Sequence, residues 1–121
     1  MNYTAHSEIG RIKSVFIKNV KQAFVSEMHI EWYWKELNYL GKPAFNIAVK
    51  EFEIFQSVLK EHGAEIFFLP EDSSVNMDSL YCRDAFVATH LGMIIGNMGK
   101  ALRINEPLPE QKALKRVEFP Y

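Results

Sequence analysis

The chain has 121 residues, enough for one small domain with a single core. Fourteen basic and fifteen acidic residues give a formal net charge of -1, without the basic excess typical of nucleic-acid-binding modules. A single cysteine excludes an internal disulfide, and one cysteine with scattered histidines does not match the spacing of a zinc site. No apolar run reaches the ~20 residues that span a membrane. We therefore expect a cytoplasmic protein that binds neither nucleic acid nor membrane and holds no metal or other cofactor.

The first half of the chain predicts a strand followed by two helices. Residues 12–18 alternate in polarity and are rich in strand-forming residues, which predicts a strand. Over residues 20–40 apolar side chains recur at steps of three and four, which predicts one helix that stops at residues 41–43. A wide apolar stripe over residues 44–62 predicts a second helix, ended by Gly63.

The second half predicts three more strands and a last helix. Residues 65–69 form an apolar run ended by Pro70, which indicates a buried strand. Residues 85–89 and 93–96 flank a turn and predict a hairpin. A final helix is expected to open near Asn105 and Pro107 and to end near Val117. This order of elements is typical of a mixed α/β fold.

The densest polar cluster lies at residues 78–84, with the sequence Asp-Ser-Leu-Tyr-Cys-Arg-Asp. Asp84 stands at the start of the predicted strand that begins at Ala85. A carboxylate there can accept paired hydrogen bonds from a planar cation, because guanidinium and carboxylate match as a fork. The alternative is that Arg83 and Asp84 form a structural ion pair that caps the strand.

Two further residues are candidates for chemistry. Arg103, between the hairpin and the last helix, can bind a ligand carboxylate with two hydrogen bonds, or it can be a solvated loop cation. Cys82 can be a nucleophile if its thiolate is stabilised, with Arg83 beside it. Alternation along a strand would, however, place Cys82 and Asp84 on one face and Arg83 on the other, and a lone cysteine among apolar residues is commonly a small buried hydrophobe.

Three stretches carry a resemblance to a known family: residues 7–17, residues 78–86, and residues 97–107 with Arg103 and Glu106. In this order and spacing they are similar to the N-terminal part of the guanidine-modifying (pentein) superfamily. That superfamily includes arginine deiminase, dimethylarginine dimethylaminohydrolase, agmatine deiminase and the amidinotransferases. The chain resembles most the dimethylarginine dimethylaminohydrolase-like and amidinotransferase-like branch.

The resemblance implies both a fold and a reaction. The family fold is an α/β propeller of five pseudo-symmetric ββαβ blades around a polar channel, and residues 1–121 would form a single partial domain of about two blades. In that chemistry a cysteine thiolate attacks the guanidinium carbon, a histidine moves protons, and carboxylates bind the guanidinium nitrogens. The product is formed by hydrolysis or by amidino transfer, and the sequence leaves that choice open.

Carried over by position, the resemblance assigns substrate-binding roles to four residues. Asp84 would hold the guanidinium, Asp78 would contact the substrate nearby, and Arg103 would bind an α-carboxylate. Phe24 falls where relatives place a mobile lid. The family's nucleophile and histidine lie in a later portion of chains more than twice as long, so no catalytic residue is expected here and the chain alone should be inactive. Its expected partners are a small guanidino substrate and either the missing C-terminal portion or a second copy.

Two other hypotheses remain open from the residues. An aromatic content of 13% and an open blade edge are also consistent with a non-catalytic binding or interaction module on a half-propeller scaffold. The other hypothesis is a complete small enzyme that uses Cys82 as its nucleophile, which requires a thiolate stabilised well below its ordinary pKa.

Overall fold

A computed structural model describes residues 9–116 of the chain, which form a small mixed α/β domain. The predicted helix end near Val117 lies outside these residues. The regular elements that they contain are β1 (Ser14–Ile17), α1 (Val20–Phe24), α2 (Glu27–Tyr33), α3 (Phe45–Glu61), β2 (Glu65–Phe68), β3 (Phe86–Thr89), β4 (Gly92–Ile95) and α4 (Pro107–Arg116). Short 3-10 helices cover Met77–Leu80, Cys82–Asp84 and Ala101–Arg103. Within the described range, the search for a helix long and apolar enough to cross a bilayer found none.

The strands form two separate two-stranded sheets. β1 and β2 pair in parallel, with Ser14 opposite Glu65 and Ile17 opposite Phe68, and α1, α2 and α3 lie between them in sequence. β3 and β4 pair antiparallel as the predicted hairpin, with Thr89 opposite Gly92 at the turn. The predicted strands are therefore confirmed, with ends that differ by one or two residues.

The single helix predicted over residues 20–40 is wrong, because the chain breaks after Phe24. Val25 has φ 65° and ψ -60°, and the Ser26 N–H donates to the Phe24 carbonyl at 2.7 Å. This three-residue reversal, centred on Val25, is a γ-turn that stops α1. Ser26 then caps α2 by accepting a hydrogen bond from the His29 N–H at 3.1 Å. Apolar spacing survives the break, so periodicity alone could not show it.

The core lies where one face of α3 packs on α1, α2 and the first 3-10 helix. Its buried residues are Val20, Ala23, Phe24, Ile30, Leu37 and Met77, and the partly buried residues packed against them include Phe45, Ala48, Val49 and Phe52 of α3. α3 ends as predicted at Gly63, whose φ of 80° suits a residue without a side chain. The opposite face of α3 stays exposed.

Residues 77–84 form two short 3-10 helices separated by Tyr81, so the strand alternation expected for Cys82, Arg83 and Asp84 is wrong. Asn76 opens this region by accepting a hydrogen bond from the Met77 N–H at 2.7 Å. A 3-10 helix has three residues per turn, so successive side chains point about 120° apart instead of to opposite faces. Cys82 and Asp84 therefore do not share a face as strand neighbours would.

Candidate functional site

Arg103 lies at the centre of the polar cluster, and Glu106 holds its guanidinium from one side. Arg103 ends a 3-10 helix, and the chain turns so that the Glu106 N–H donates to its carbonyl at 3.0 Å. The Arg103 Nε and Nη2 atoms each donate to one oxygen of Glu106 at 2.8 Å. Both residues are buried, with Arg103 only 8% exposed. A bidentate pair of this kind fixes the plane of the guanidinium.

The same guanidinium also holds Asp84 in place. Its Nη1 atom donates to Asp84 Oδ2 at 2.7 Å, and Nη2 donates to the Tyr81 carbonyl at 3.1 Å. The Asp84 side chain is 43% exposed, and its other oxygen, Oδ1, lies 4.0 Å from Nε of the exposed Arg83. Asp84 is thus oriented from the protein interior by Arg103 while much of its carboxylate faces solvent. Arg103, and not Arg83, is its close ionic partner.

Asp78 is engaged inside the protein. Its Oδ2 atom accepts a hydrogen bond at 2.6 Å from Nζ of Lys100, which also donates to the Leu37 carbonyl at 2.6 Å. Burial raises the pKa of the Tyr39 phenol above its usual range, and the neighbouring Tyr81 and Asp78 raise it further. Asp78 therefore joins the loop before Arg103 to the core, and a substrate could bind it only by displacing Lys100.

The structure places the other two predicted binding residues in the interior. The donors of Arg103 are directed at Glu106, Asp84 and Tyr81, so a substrate carboxylate would have to compete with those groups. The alternative of a solvated loop cation is wrong for Arg103 because it is buried. Phe24 is a core residue packed edge-on against Tyr39, with ring centroids 6.5 Å apart. Its role as a lid remains a prediction that requires α1 to open.

Cys82 is a half-buried free thiol. Its Sγ lies 3.8 Å from the Phe16 carbonyl oxygen. Burial raises its pKa to about 11, and the charge of Glu110 contributes in the same direction. The thiolate is therefore scarce at neutral pH, which favours the interpretation of Cys82 as a small packing residue.

Three charged residues near the cluster were not among the site residues predicted from the sequence: Lys18, Glu106 and Glu110. Lys18 follows β1, is buried, and donates to the Pro70 carbonyl. Glu106 directly precedes α4, and Glu110, in the first turn of that helix, is also buried. Burial raises the pKa of Glu110 to about 8, and the charge of Glu106 contributes to the rise. The Arg103-to-Glu106 spacing of three and the Glu106-to-Glu110 spacing of four were signals that these groups share one side of the chain.

Residues 9–116 present no set of three or more His, Cys, Asp and Glu side chains arranged to hold a metal ion. Comparison of the chain with models of protein families, with curated proteins and with solved structures gives no match. The contacts around Asp84 are therefore the basis on which a function can be assigned.

Proposed function

We propose that this chain is the substrate-binding N-terminal part of a guanidino-group hydrolase or amidinotransferase, built as about two blades of a five-bladed α/β propeller. The substrate would be arginine, a methylarginine or a related guanidine. The observation that carries the proposal is the half-exposed carboxylate of Asp84, which is fixed from inside by the buried Arg103. The three-part sequence resemblance adds the family and the reaction class.

The geometry suits a planar cation for a physical reason. A guanidinium spreads its charge over three nitrogens in one plane, and a carboxylate accepts two of its N–H groups side by side. Asp84 already makes one such bond to the guanidinium of Arg103 through Oδ2. Because Arg103 is itself locked by Glu106, Asp84 does not have to be ordered when a ligand arrives. Oδ1 is then the oxygen available to a substrate guanidinium, which would donate one N–H to it; a second bond of the fork would have to be shared with Arg103 at Oδ2.

The proposed role is binding and orientation, without bond cleavage by this chain. A guanidinium is a poor electrophile, so its carbon needs an activated nucleophile such as a thiolate. Cys82, with its pKa raised to about 11, does not supply one at neutral pH. The thiolate and the histidine would come from the later portion of such an enzyme. The chain alone is expected to bind guanidines and to leave them unchanged.

Calorimetric titration of the chain with arginine, agmatine and methylarginine tests the proposal. We expect heat of binding for at least one of these guanidines, and a loss of about tenfold or more in affinity in Asp84→Asn, because a charge-assisted hydrogen bond disappears. Glu53→Gln removes one carboxylate from the exposed part of α3 and is the matched control, which should bind as the native chain does. Equal binding by Asp84→Asn and the native chain would contradict the site.

One observation favours the second candidate, a non-catalytic interaction module. The outer face of α3 carries four large apolar side chains that are 46–65% exposed: Ile47, Ile54, Phe55 and Val58. A contiguous apolar patch of this kind is typical of a surface that meets another protein. Sedimentation over a range of concentrations tests it. Association that Ile54→Glu abolishes, together with no guanidine binding, would favour the module, whereas a monomer at all concentrations would argue against it.

A further inference from the structure

A crevice close to Arg103 takes no part in the proposed binding of guanidinium at Asp84. It lies between the end of β2, the first 3-10 helix and the start of α4, and the centre of a water-sized molecule has about 10 Å³ of space inside it, enough for about one water or one NH4+. Lys18, Ser79, Glu106 and Glu110 supply its polar lining, with Pro70 and Pro109 among its apolar walls. Asp84 is not part of this lining, so the crevice is separate from the exposed carboxylate described above.

Two polar atoms of residues that line this crevice lack a hydrogen-bond partner among the described residues. They are Oε2 of Glu110 and Oγ of Ser79. Both residues are buried: Glu110 is 4% exposed and Ser79 is 3% exposed. An unsatisfied carboxylate oxygen and hydroxyl cost free energy when buried, so a donor that reached them from the crevice would be bound favourably.

The charges around the crevice favour a cationic donor. Glu110 is affected by the negative charges of Glu106 and Asp84 and by the positive charges of Arg103 and Lys18. Arg103 is directed at Glu106 and Asp84, and Lys18 donates to the Pro70 carbonyl. Neither cation therefore donates to Oε2 of Glu110, so the negative charge of ionised Glu110 has no hydrogen-bonded cation at that oxygen. A small cation with N–H donors would compensate it.

We propose that this crevice binds a small ammonium-type cation, either NH4+ or the primary ammonium group of a small amine. Its N–H groups would donate hydrogen bonds to Glu110 Oε2 and Ser79 Oγ. This site would operate whether or not Asp84 binds guanidines, because the two sites use different side chains.

The proposal has a defined pH dependence. Burial and the charges of Glu106 and Asp84 raise the pKa of Glu110 to about 8, against the opposing effects of Arg103 and Lys18. A cation binds to the ionised carboxylate and competes with the proton. Binding should therefore strengthen as the pH rises through the pKa of Glu110, for example from about 6.5 to about 8.5, where NH4+ is still mostly protonated.

Backbone amide NMR of the full chain, titrated with ammonium chloride and separately with methylammonium chloride, tests the proposal. Sodium chloride and tetramethylammonium chloride at equal ionic strength are the controls, because neither cation has an N–H donor. We expect saturable shifts of the backbone amides of Ser79, Glu106, Leu108 and Glu110 with the ammonium-type salts alone. A response to NH4+ but not to methylammonium identifies the free ion as the ligand, and a response to both identifies an amine head group.

Two variants decide whether the crevice residues are responsible. Glu110→Gln should weaken the response about tenfold or more, and Ser79→Ala should weaken it several-fold, because each removes one proposed acceptor. Glu53→Gln should leave it unchanged. Ser79→Ala provides an independent result if Glu110→Gln does not fold. The proposal is overturned if sodium causes the same shifts, or if a folded Glu110→Gln or Ser79→Ala chain responds as the native chain does.

Discussion

At the scale of single residues, Arg103 determines which carboxylate can meet a ligand. Its guanidinium is shared between the buried Glu106 and the half-exposed Asp84, so one acid neutralises it and the other is aligned by it. These bonds offset part of the free-energy cost of removing the Arg103 guanidinium from water. Hydrogen bonding to Glu106 is the largest cause that raises the pKa of Arg103 above its usual range. In the proposed function Arg103 therefore acts by positioning Asp84.

One prediction at this scale concerns Cys82. Because burial raises the pKa of its thiol to about 11, alkylation by iodoacetamide at about pH 8 should be slower in the native chain than in the unfolded chain. The rate of labelling should rise with pH and inflect near the raised pKa. An inflection well below the ordinary thiol pKa would instead support the hypothesis of Cys82 as a nucleophile.

The residues of the site were only partly predictable from the sequence. Asp84 and Arg103 stood out because charged residues at the ends of predicted elements are candidates for binding. Their mutual contact was not predictable, because they are separated by a hairpin whose return position depends on the turn at residues 90–91. Lys18 gave no signal at all: a lysine after a strand is ordinarily exposed, whereas here it is buried against Pro70.

At the scale of elements, the γ-turn at Val25 is the most unusual local feature. A β-branched residue with φ 65° and ψ -60° is in a sparsely populated region of backbone conformation. Such conformations cost on the order of 1–3 kcal/mol each and are held only by surrounding contacts. Here the neighbours that hold it are the buried Phe24 on one side and the Ser26 cap of α2 on the other.

Replacement of Val25 by glycine should stabilise the chain. Glycine adopts positive φ without steric cost, and this gain should exceed its extra entropy in the unfolded state, for a net rise of about 1 kcal/mol in the free energy of unfolding. Thermal and urea unfolding would measure it. Val87→Gly, in the ordinary extended backbone of β3, is the matched control and should destabilise the chain. A fall in stability for Val25→Gly would show that the turn is not strained.

The elements themselves were predictable where local chemistry and packing agree. α3 has a long apolar stripe and ends at Gly63, so its bounds were found to within one residue at each end. The β3–β4 hairpin was found because its turn residues separate two apolar runs. The break between α1 and α2 was not, since it depends on one valine in an uncommon conformation and on a serine cap that the apolar spacing conceals.

At the scale of the whole molecule, the described residues leave much of their apolar surface exposed to solvent. The described residues hold two separate two-stranded sheets, and one of these is a parallel pair, which in proteins is ordinarily covered on both faces. The outer face of α3 leaves four large apolar side chains exposed. Both features are consistent with cover by further protein, either the remaining blades of the proposed propeller or the partner of an interaction module.

The central claim is that Asp84 accepts the guanidinium of a substrate. Its most direct measurement is the carboxyl carbon resonance of Asp84 in a 13C-labelled chain titrated with arginine and, as a charge control, with tetramethylammonium. We predict a saturable shift at Asp84 with arginine alone, while the Glu106 carboxyl, already engaged by Arg103, changes little. An Asp84 resonance that does not respond to arginine, or that responds equally to both cations, would contradict the account.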